Sequence, residues 1–251
     1  MSILKKLQKR AEEPELMDDF SMGGDELHEA LRDLRLLNRI FAASNPTIYG
    51  VERIWILAGR PKQLSVLDVG AGSGDVNRHI LRWADKRGID VTIQLADVTE
   101  EACEEARQFF HDEPRVTVKL VDVLDLPEAS VDIVTGSQFI HHFTGDELHR
   151  IVAHMYKMSK LGVVINDIHR QWIAWLAVWI VSHVVSTNRY IRHDGPLSVA
   201  KGFRATDWII LRDSLGVPQL KYSWRPLFRY AVIIPQHASQ SEKGSGNRWS
   251  R

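Results

Sequence analysis

One cysteine, Cys103, occurs in 251 residues, so the chain has no disulfide framework and no cluster of thiolate metal ligands. A reducing cytoplasm is the setting this suggests. Net charge is also missing: 32 Lys and Arg balance 32 Asp and Glu, which argues against a nucleic-acid binder with its usual basic excess. No apolar run reaches the roughly 18 residues that span a bilayer. The opening Met1-Ser2-Ile3-Leu4-Lys5-Lys6 lacks the apolar core of a secretory leader. There is no internal repeat. What remains, 44% apolar and 25% charged, is ordinary globular material, enough for one domain with a generous core or a domain with a small lid.

Against these absences stands one dense segment, Val66-Leu67-Asp68-Val69-Gly70-Ala71-Gly72-Ser73-Gly74-Asp75. An apolar stretch closes on an acid, and glycines follow at alternate positions. Without a Cβ, glycine permits both a sharp strand-to-helix turn and the close approach of a ligand. A helix beginning near Asp75 presents unpaired N–H groups and a positive dipole end. A dinucleotide loop is spaced G-x-G-x-x-G and seats a pyrophosphate there. Here the spacing is acid-x-G-x-G-x-G, and the carboxylate of Asp75 repels a pyrophosphate while suiting a cationic or zwitterionic ligand.

Residues 89–97 alternate and then run apolar, which predicts a second buried strand ending in an acid. Asp97 falls 23 residues after Gly74, room for one helix and one strand, and can accept two hydrogen bonds from a ribose diol. A third strand at 116–121 leads to Asp122, and a fourth lies at 131–136. Core packing does not explain acids at three successive strand ends. Ahead of them, Leu27, Leu31, Leu34, Leu37 and Phe41 share one face of a helix over 25–43, and a second helix follows Pro46 over 47–58. Further helices are predicted at 75–87, 99–111 (capped by Thr99) and 145–159, with a fifth strand at 162–167. Alternation of this kind implies parallel strands and right-handed crossovers. Two extended runs at 217–224 and 227–234, joined through Arg225-Pro226, predict a final antiparallel pair. The organisation is thus an arm and cap helices at 1–60, a core at 61–235 with a lid at about 170–208, and a polar, disordered tail at 236–251. Residues 189–251 hold 11 Lys and Arg against 4 Asp and Glu. Either the early strand-end acids concentrate negative charge, or the basic end meets an anionic surface, such as a peripheral membrane contact, or an acidic partner.

The glycine segment, the strand-end acids and the wording Ser130-Val131-Asp132-Ile133-Val134-Thr135-Gly136 resemble the class I methyltransferases that use S-adenosylmethionine. The resemblance covers about residues 25–235 and implies an α/β, Rossmann-like, seven-stranded, mostly parallel sheet. Its last strand would be antiparallel, with helices on both faces and a helical lid inserted after strand five. In that family the glycine loop passes the methionine part of the cofactor, and an acid at the position of Asp122 contacts the adenine amine. The cofactor residues so implied are Asp68, Gly70, Ala71, Gly72 and Gly74, then Asp97 with Val98, Asp122 with Val123, and Ser137. Many members carry Pro-Gly-Gly before the fifth strand. Here Met158-Ser159-Lys160-Leu161-Gly162 has one glycine, which weakens the match to a subfamily rather than to the fold. Phe139-Ile140-His141-His142-Phe143 is similar to members that methylate quinone precursors and phenolic polyketides.

Methyl transfer from a sulfonium asks the protein mainly to align the nucleophile. A hydroxyl acceptor must also lose a proton, a task suited to histidine. His142 is the first choice of base, with His141 behind it, since adjacent side chains point to different sides. Trp172, Trp175 and Trp179 lie at helical spacing in the most apolar stretch, 172–185, which predicts a buried helix over the crevice beyond the strand ends. They wall an aromatic or lipid-like acceptor, or are simply core, or touch a membrane surface. Phe139, His169, Arg192 and His193 complete the substrate side, and no metal is expected. The reading is S-adenosylmethionine-dependent transfer to a small apolar, phenolic or quinol-like molecule, with O-methylation favoured. A non-catalytic cofactor-binding or scaffold protein is the alternative; an NAD-linked oxidoreductase conflicts with the glycine spacing and Asp75.

Overall fold

Each predicted strand is a run of apolar and β-branched residues between turn residues, and in the computed structural model each becomes a strand; residues 7–19 and 23–236 are described. The strands are β1 (Gln63–Val69), β2 (Asp90–Asp97), β3 (Val116–Leu120), β4 (Val131–Ser137), β5 (Ser159–Ile168), β6 (Lys221–Arg225) and β7 (Arg229–Pro235). They form one sheet in the order β3-β2-β1-β4-β5-β7-β6. Strands β1 to β5 pair in parallel, and β7 lies antiparallel to both β5 and β6. The helices are α1 (Asp25–Ile40), α2 (Ser44–Leu57), α3 (Asn77–Asp85), α4 (Glu100–Phe109), α5 (Gly145–Met158), α6 (Trp172–Val185), α7 (Arg189–Lys201) and α8 (Ala205–Leu215).

Because successive strand side chains point to opposite faces, the sheet builds two cores. Leu64 and Val66 of β1 pack with Ile54 of α2, Ile80 of α3 and Ala106 of α4. Leu67 and Val69 pack through the other face with Met155 of α5 and Trp208 of α8. The order reverses between β1 and β4, so a crevice opens beyond their carboxyl ends, where open α/β sheets bind ligands.

Two expectations need correction. The second helix begins at Ser44, so Pro46 lies in its first turn, where a missing N–H costs nothing, rather than before it. The other concerns α6, beyond which the polar run Arg192–Pro196 lies within α7. Asp194 there accepts the backbone N–H groups of Leu16 and Met17 at 2.8 and 3.0 Å and so ties down the arm. The segment α6 is a helix but is not buried. It packs through Ala174 and Ser182 and leaves Trp172 50% and Val184 79% exposed, with Trp179 and Ile180 also in water. One helix edge is all that α1 and α7 can cover. Among the described residues no helix is long and apolar enough to cross a membrane. The predicted disorder of the tail falls almost wholly on residues 237–251, outside the described residues.

Candidate functional site

Asp68, at the end of β1, is buried and accepts hydrogen bonds from Asn77 Nδ2 at 2.5 Å and Thr135 Oγ1 at 2.6 Å. It thereby pins the start of α3 to β4 beneath the glycine loop. Burial pushes its pKa up to about 6, with those two hydrogen bonds opposing the rise. Gly70, Gly72 and Gly74 all adopt left-handed backbone, at φ of 59°, 54° and 70°. A Cβ on Gly70 would lie 2.0 Å from the Phe139 ring, whereas one on Gly72 would meet nothing. The loop is thus packed on one side and open on the other.

The Gly72 amide donates to Asp97 Oδ2 at 2.8 Å, and Thr99 donates to Oδ1 through its amide and hydroxyl at 3.1 and 3.0 Å. Asp97 therefore stands oriented at the mouth of β2 beside the open face of the loop, which fits a ribose-bearing ligand. Val98 next to it is exposed. Asp122, at the next strand end, caps a short turn through the amide of Leu124 at 2.8 Å, and Val123 is buried in the core. Ala71 is half-buried. Ser137 shares a hydrogen bond with Thr47 Oγ1 at 2.8 Å, and Asn166 Nδ2 donates to that same Thr47 oxygen, fixing α2 to the strand ends.

Helix α1 bridges the crevice. Gln138 Nε2 donates to Asn38 Oδ1 at 2.8 Å, and Asn38 Nδ2 donates to Asp75 Oδ1 at 3.2 Å, linking the end of β4 to the glycine loop. Burial raises the pKa of Asp75, which precedes α3 rather than opening it. Beside this link lies a mostly apolar cavity, lined by Leu37, Phe41, Ile168, Val178, Phe228 and the single cation Arg229, with Asn38 and Gln138 at its edge. Three of its lining residues, Gln138, Leu227 and Phe228, hold left-handed backbone at φ of 55°, 60° and 64°. Such strain in non-glycine residues collects at functional sites.

The histidines lie elsewhere. His141, 2% exposed, places Nδ1 2.8 Å from Asp167 Oδ1 and Nε2 3.5 Å from Glu15. Burial alone would lower its pKa; Asp167 and Glu15 outweigh burial and raise it to about 9. His142 stacks on His141 and pairs with Asp18 at 2.8 Å. Neither ring lines the cavity. Ligand atoms of Glu15, His141 and His142 lie within 4.8 Å of one another, a spacing that would suit a metal. The buried Lys201 ammonium, 3.7 Å from Glu15 and 3.3 Å from Asp18, already supplies a cation there.

The other substrate candidates disperse. Phe139 lies over Gly70, and His169 meets the Tyr230 ring edge-on. Trp175 packs on Ile168, Ala174 and Val199, whereas Trp172 is exposed. Arg192 donates to the carbonyls of Ser186 and His183 at the end of α6, and His193 pairs with Asp194. Sequence reading missed Asn38, Gln138 and Arg229 as a group. A lone charge in the apolar run of β7 was the available signal for Arg229.

Residues 66–162 match the family model described as a methyltransferase domain. A comparison with curated proteins finds no match. Among solved structures, human N-acetylserotonin methyltransferase in complex with S-adenosylmethionine superposes with a TM-score of 0.60 at 13% identity, covering 94% of this chain and 66% of that one. Magnesium protoporphyrin IX methyltransferase from Synechocystis PCC 6803, with bound S-adenosylhomocysteine, gives 0.53 at 12% identity over 79% and 85%. The citrinin polyketide synthase CMeT domain gives 0.51 at 15% over 68% of this chain and 46% of that one, so the chain spans about half its length. The fold is thus one shared with solved methyltransferases, and residues 66–162 match a methyltransferase domain.

Proposed function

We propose that the chain binds S-adenosylmethionine on the Gly70–Gly74 loop and directs methyl transfer to a small apolar acceptor held in the adjoining cavity, with oxygen the favoured methyl-accepting atom. The observation that carries this reading is the adjacency of the two halves: Asn38 bonds Asp75 of the loop on one side and edges the apolar cavity on the other. When bound, the cofactor supplies an electrophilic methyl on its sulfonium. The chain's part is to grip and align. Asp97 orients toward the ribose, Asp122 stands at the adenine end, and α1 with the β6–β7 turn excludes water from the acceptor.

His141 is held as a buried cation and His142 pairs with Asp18 away from the cavity, so alignment of an already acidic or ionised acceptor, rather than a histidine base, supplies the rate. The absence of a histidine from the cavity lining also favours a second reading, a binding protein that keeps the pocket without turnover. Calorimetry with S-adenosylhomocysteine tests the first step: wild type should bind, and Asp97→Ala should abolish binding while keeping its melting temperature. Unchanged affinity in Asp97→Ala removes the ribose assignment. Labelled methyl transfer to a panel of phenols, quinols and aromatic acids then separates enzyme from scaffold, because tight cofactor binding with no product from any of them favours the scaffold.

A further inference from the structure

Arg229 opens β7 at the carboxyl end of β5, pairing across from Ile168. It is 5% exposed and lines the apolar cavity. Its Nη1 has no hydrogen-bond acceptor among the described residues. The neighbouring carboxylates are already committed elsewhere. Asp167 accepts from His141 and from the Ile168 amide, and Asp75 accepts from Asn38. Burial lowers the Arg229 pKa to about 10, against the attraction of Asp167 and Asp75, so the group is a cation at neutral pH.

Arg170 shows what an internally satisfied arginine looks like in this fold. It is 2% exposed and donates to the carbonyls of Gly202, Leu7 and Gln8 and to Asp207. A buried cation that lacks such partners carries a desolvation cost that an anion brought into contact would offset. A planar guanidinium matches a carboxylate through two parallel hydrogen bonds.

We propose that Arg229 is an anion receptor inside the acceptor cavity, and that the acceptor is an apolar molecule bearing a carboxylate that seats on this guanidinium. The assignment rests on the methyltransferase reading of the adjoining loop and adds the acceptor's chemical class. Leu37, Phe41, Val178 and Phe228 enclose the hydrocarbon body, while the strained backbone of Leu227 and Phe228 sets the start of β7 and hence the aim of Arg229. The methyl donor also carries a carboxylate. The cavity walls come from α1, α6, α7 and the β6–β7 turn rather than from the glycine loop, which favours the acceptor as its source.

Calorimetry with cinnamate and its neutral partner cinnamamide tests this on the full chain, with and without S-adenosylhomocysteine, in wild type, Arg229→Gln and Arg229→Lys. Wild type should prefer the acid by about tenfold or more, the scale of a charge-assisted pair. Arg229→Gln should lose that preference and Arg229→Lys retain part of it, with S-adenosylhomocysteine affinity unchanged in both. Equal binding of acid and amide to wild type, no binding of the acid, or a preference that survives Arg229→Gln overturns the proposal. So does a tenfold loss of S-adenosylhomocysteine affinity in Arg229→Gln, which would assign the arginine to the donor's carboxylate. If wild type prefers cinnamate yet binds no S-adenosylhomocysteine, the anion receptor stands and the methyltransferase reading falls. Should Arg229→Gln fail to fold, the wild-type comparison of acid with amide decides alone.

Discussion

Asp68 shows how one buried side chain can hold a loop in place from below. Its carboxylate receives Asn77 from α3 and Thr135 from β4, so the turn between β1 and α3 is clamped from below. Asp68→Ala leaves Asn77 Nδ2 buried without an acceptor, a loss of about 1–3 kcal/mol, and leaves Thr135 Oγ1 only the Leu67 carbonyl at 3.5 Å. Thermal or urea unfolding should therefore show a clear loss of stability, together with weaker S-adenosylhomocysteine binding; an unchanged melting temperature would mean that the clamp is idle. Gly70 fails differently. Gly70→Ala forces a side chain into left-handed backbone, at roughly 1–2 kcal/mol, and drives a methyl into the Phe139 ring. The ring must swing away and loosen the loop. Affinity for S-adenosylhomocysteine should fall in Gly70→Ala, while Gly88→Ala, also at positive φ but in open space and away from the loop, should cost stability alone.

Among the elements, helix α6 departs furthest from its sequence reading, and the arm at residues 7–19 finds its place only in the fold. The arm lies across the ends of β4 and β5. Arg10 donates to the carbonyls of His141, Phe143 and Lys201, and Asp194 of α7 takes the amides of Leu16 and Met17. Asp194→Ala should free the segment, so trypsin should cut after Lys9 or Arg10 faster than in wild type while the core resists. Equal cleavage rates would show that other contacts hold the arm. Helix α6 illustrates the limit of hydropathy: a helix apolar on every side cannot announce which side it will bury. Its neighbours chose Ala174 and Ser182, and its tryptophans were left outside or against α7 rather than in the cavity.

For the whole molecule, the buried network under the arm sets a pH dependence. His141 has its pKa raised from 6.5 to about 9, so its contribution to stability is complete below about pH 6.5 and is lost as pH rises through 9. Glu15 and Asp167 are held below the usual carboxylate range by His141 despite their burial, so their contributions are present at neutral pH and are lost on acidification. The melting temperature should accordingly fall between pH 7 and 9. In His141→Gln that basic limb should flatten, on top of a lower stability at neutral pH, because Asp167 then lacks its counter-ion. A wild-type profile that stays level from pH 7 to 9 would show that His141 is neutral when folded.

Much of this protein was legible before any fold was known, because the legible part is local. Alternating glycines after Asp68, acids at strand ends and apolar runs of strand length depend only on neighbours in the chain, and they specified the sheet, the crevice and the proposed cofactor half of the site. The proposed acceptor half was not legible. Asn38, Gln138, Ile168 and Arg229 stand far apart in sequence and meet only because α1 crosses the crevice and β7 inserts beside β5. Histidine reads as a base in any sequence; only burial between Glu15 and Asp167 made His141 a structural cation. Arg229 reads in sequence only as a lone charge at the start of an apolar run, and its enclosure with Nη1 unpaired is what marks it as a receptor. Local chemistry is written in order along the chain, whereas desolvation and long-range pairing exist only once the chain has closed on itself.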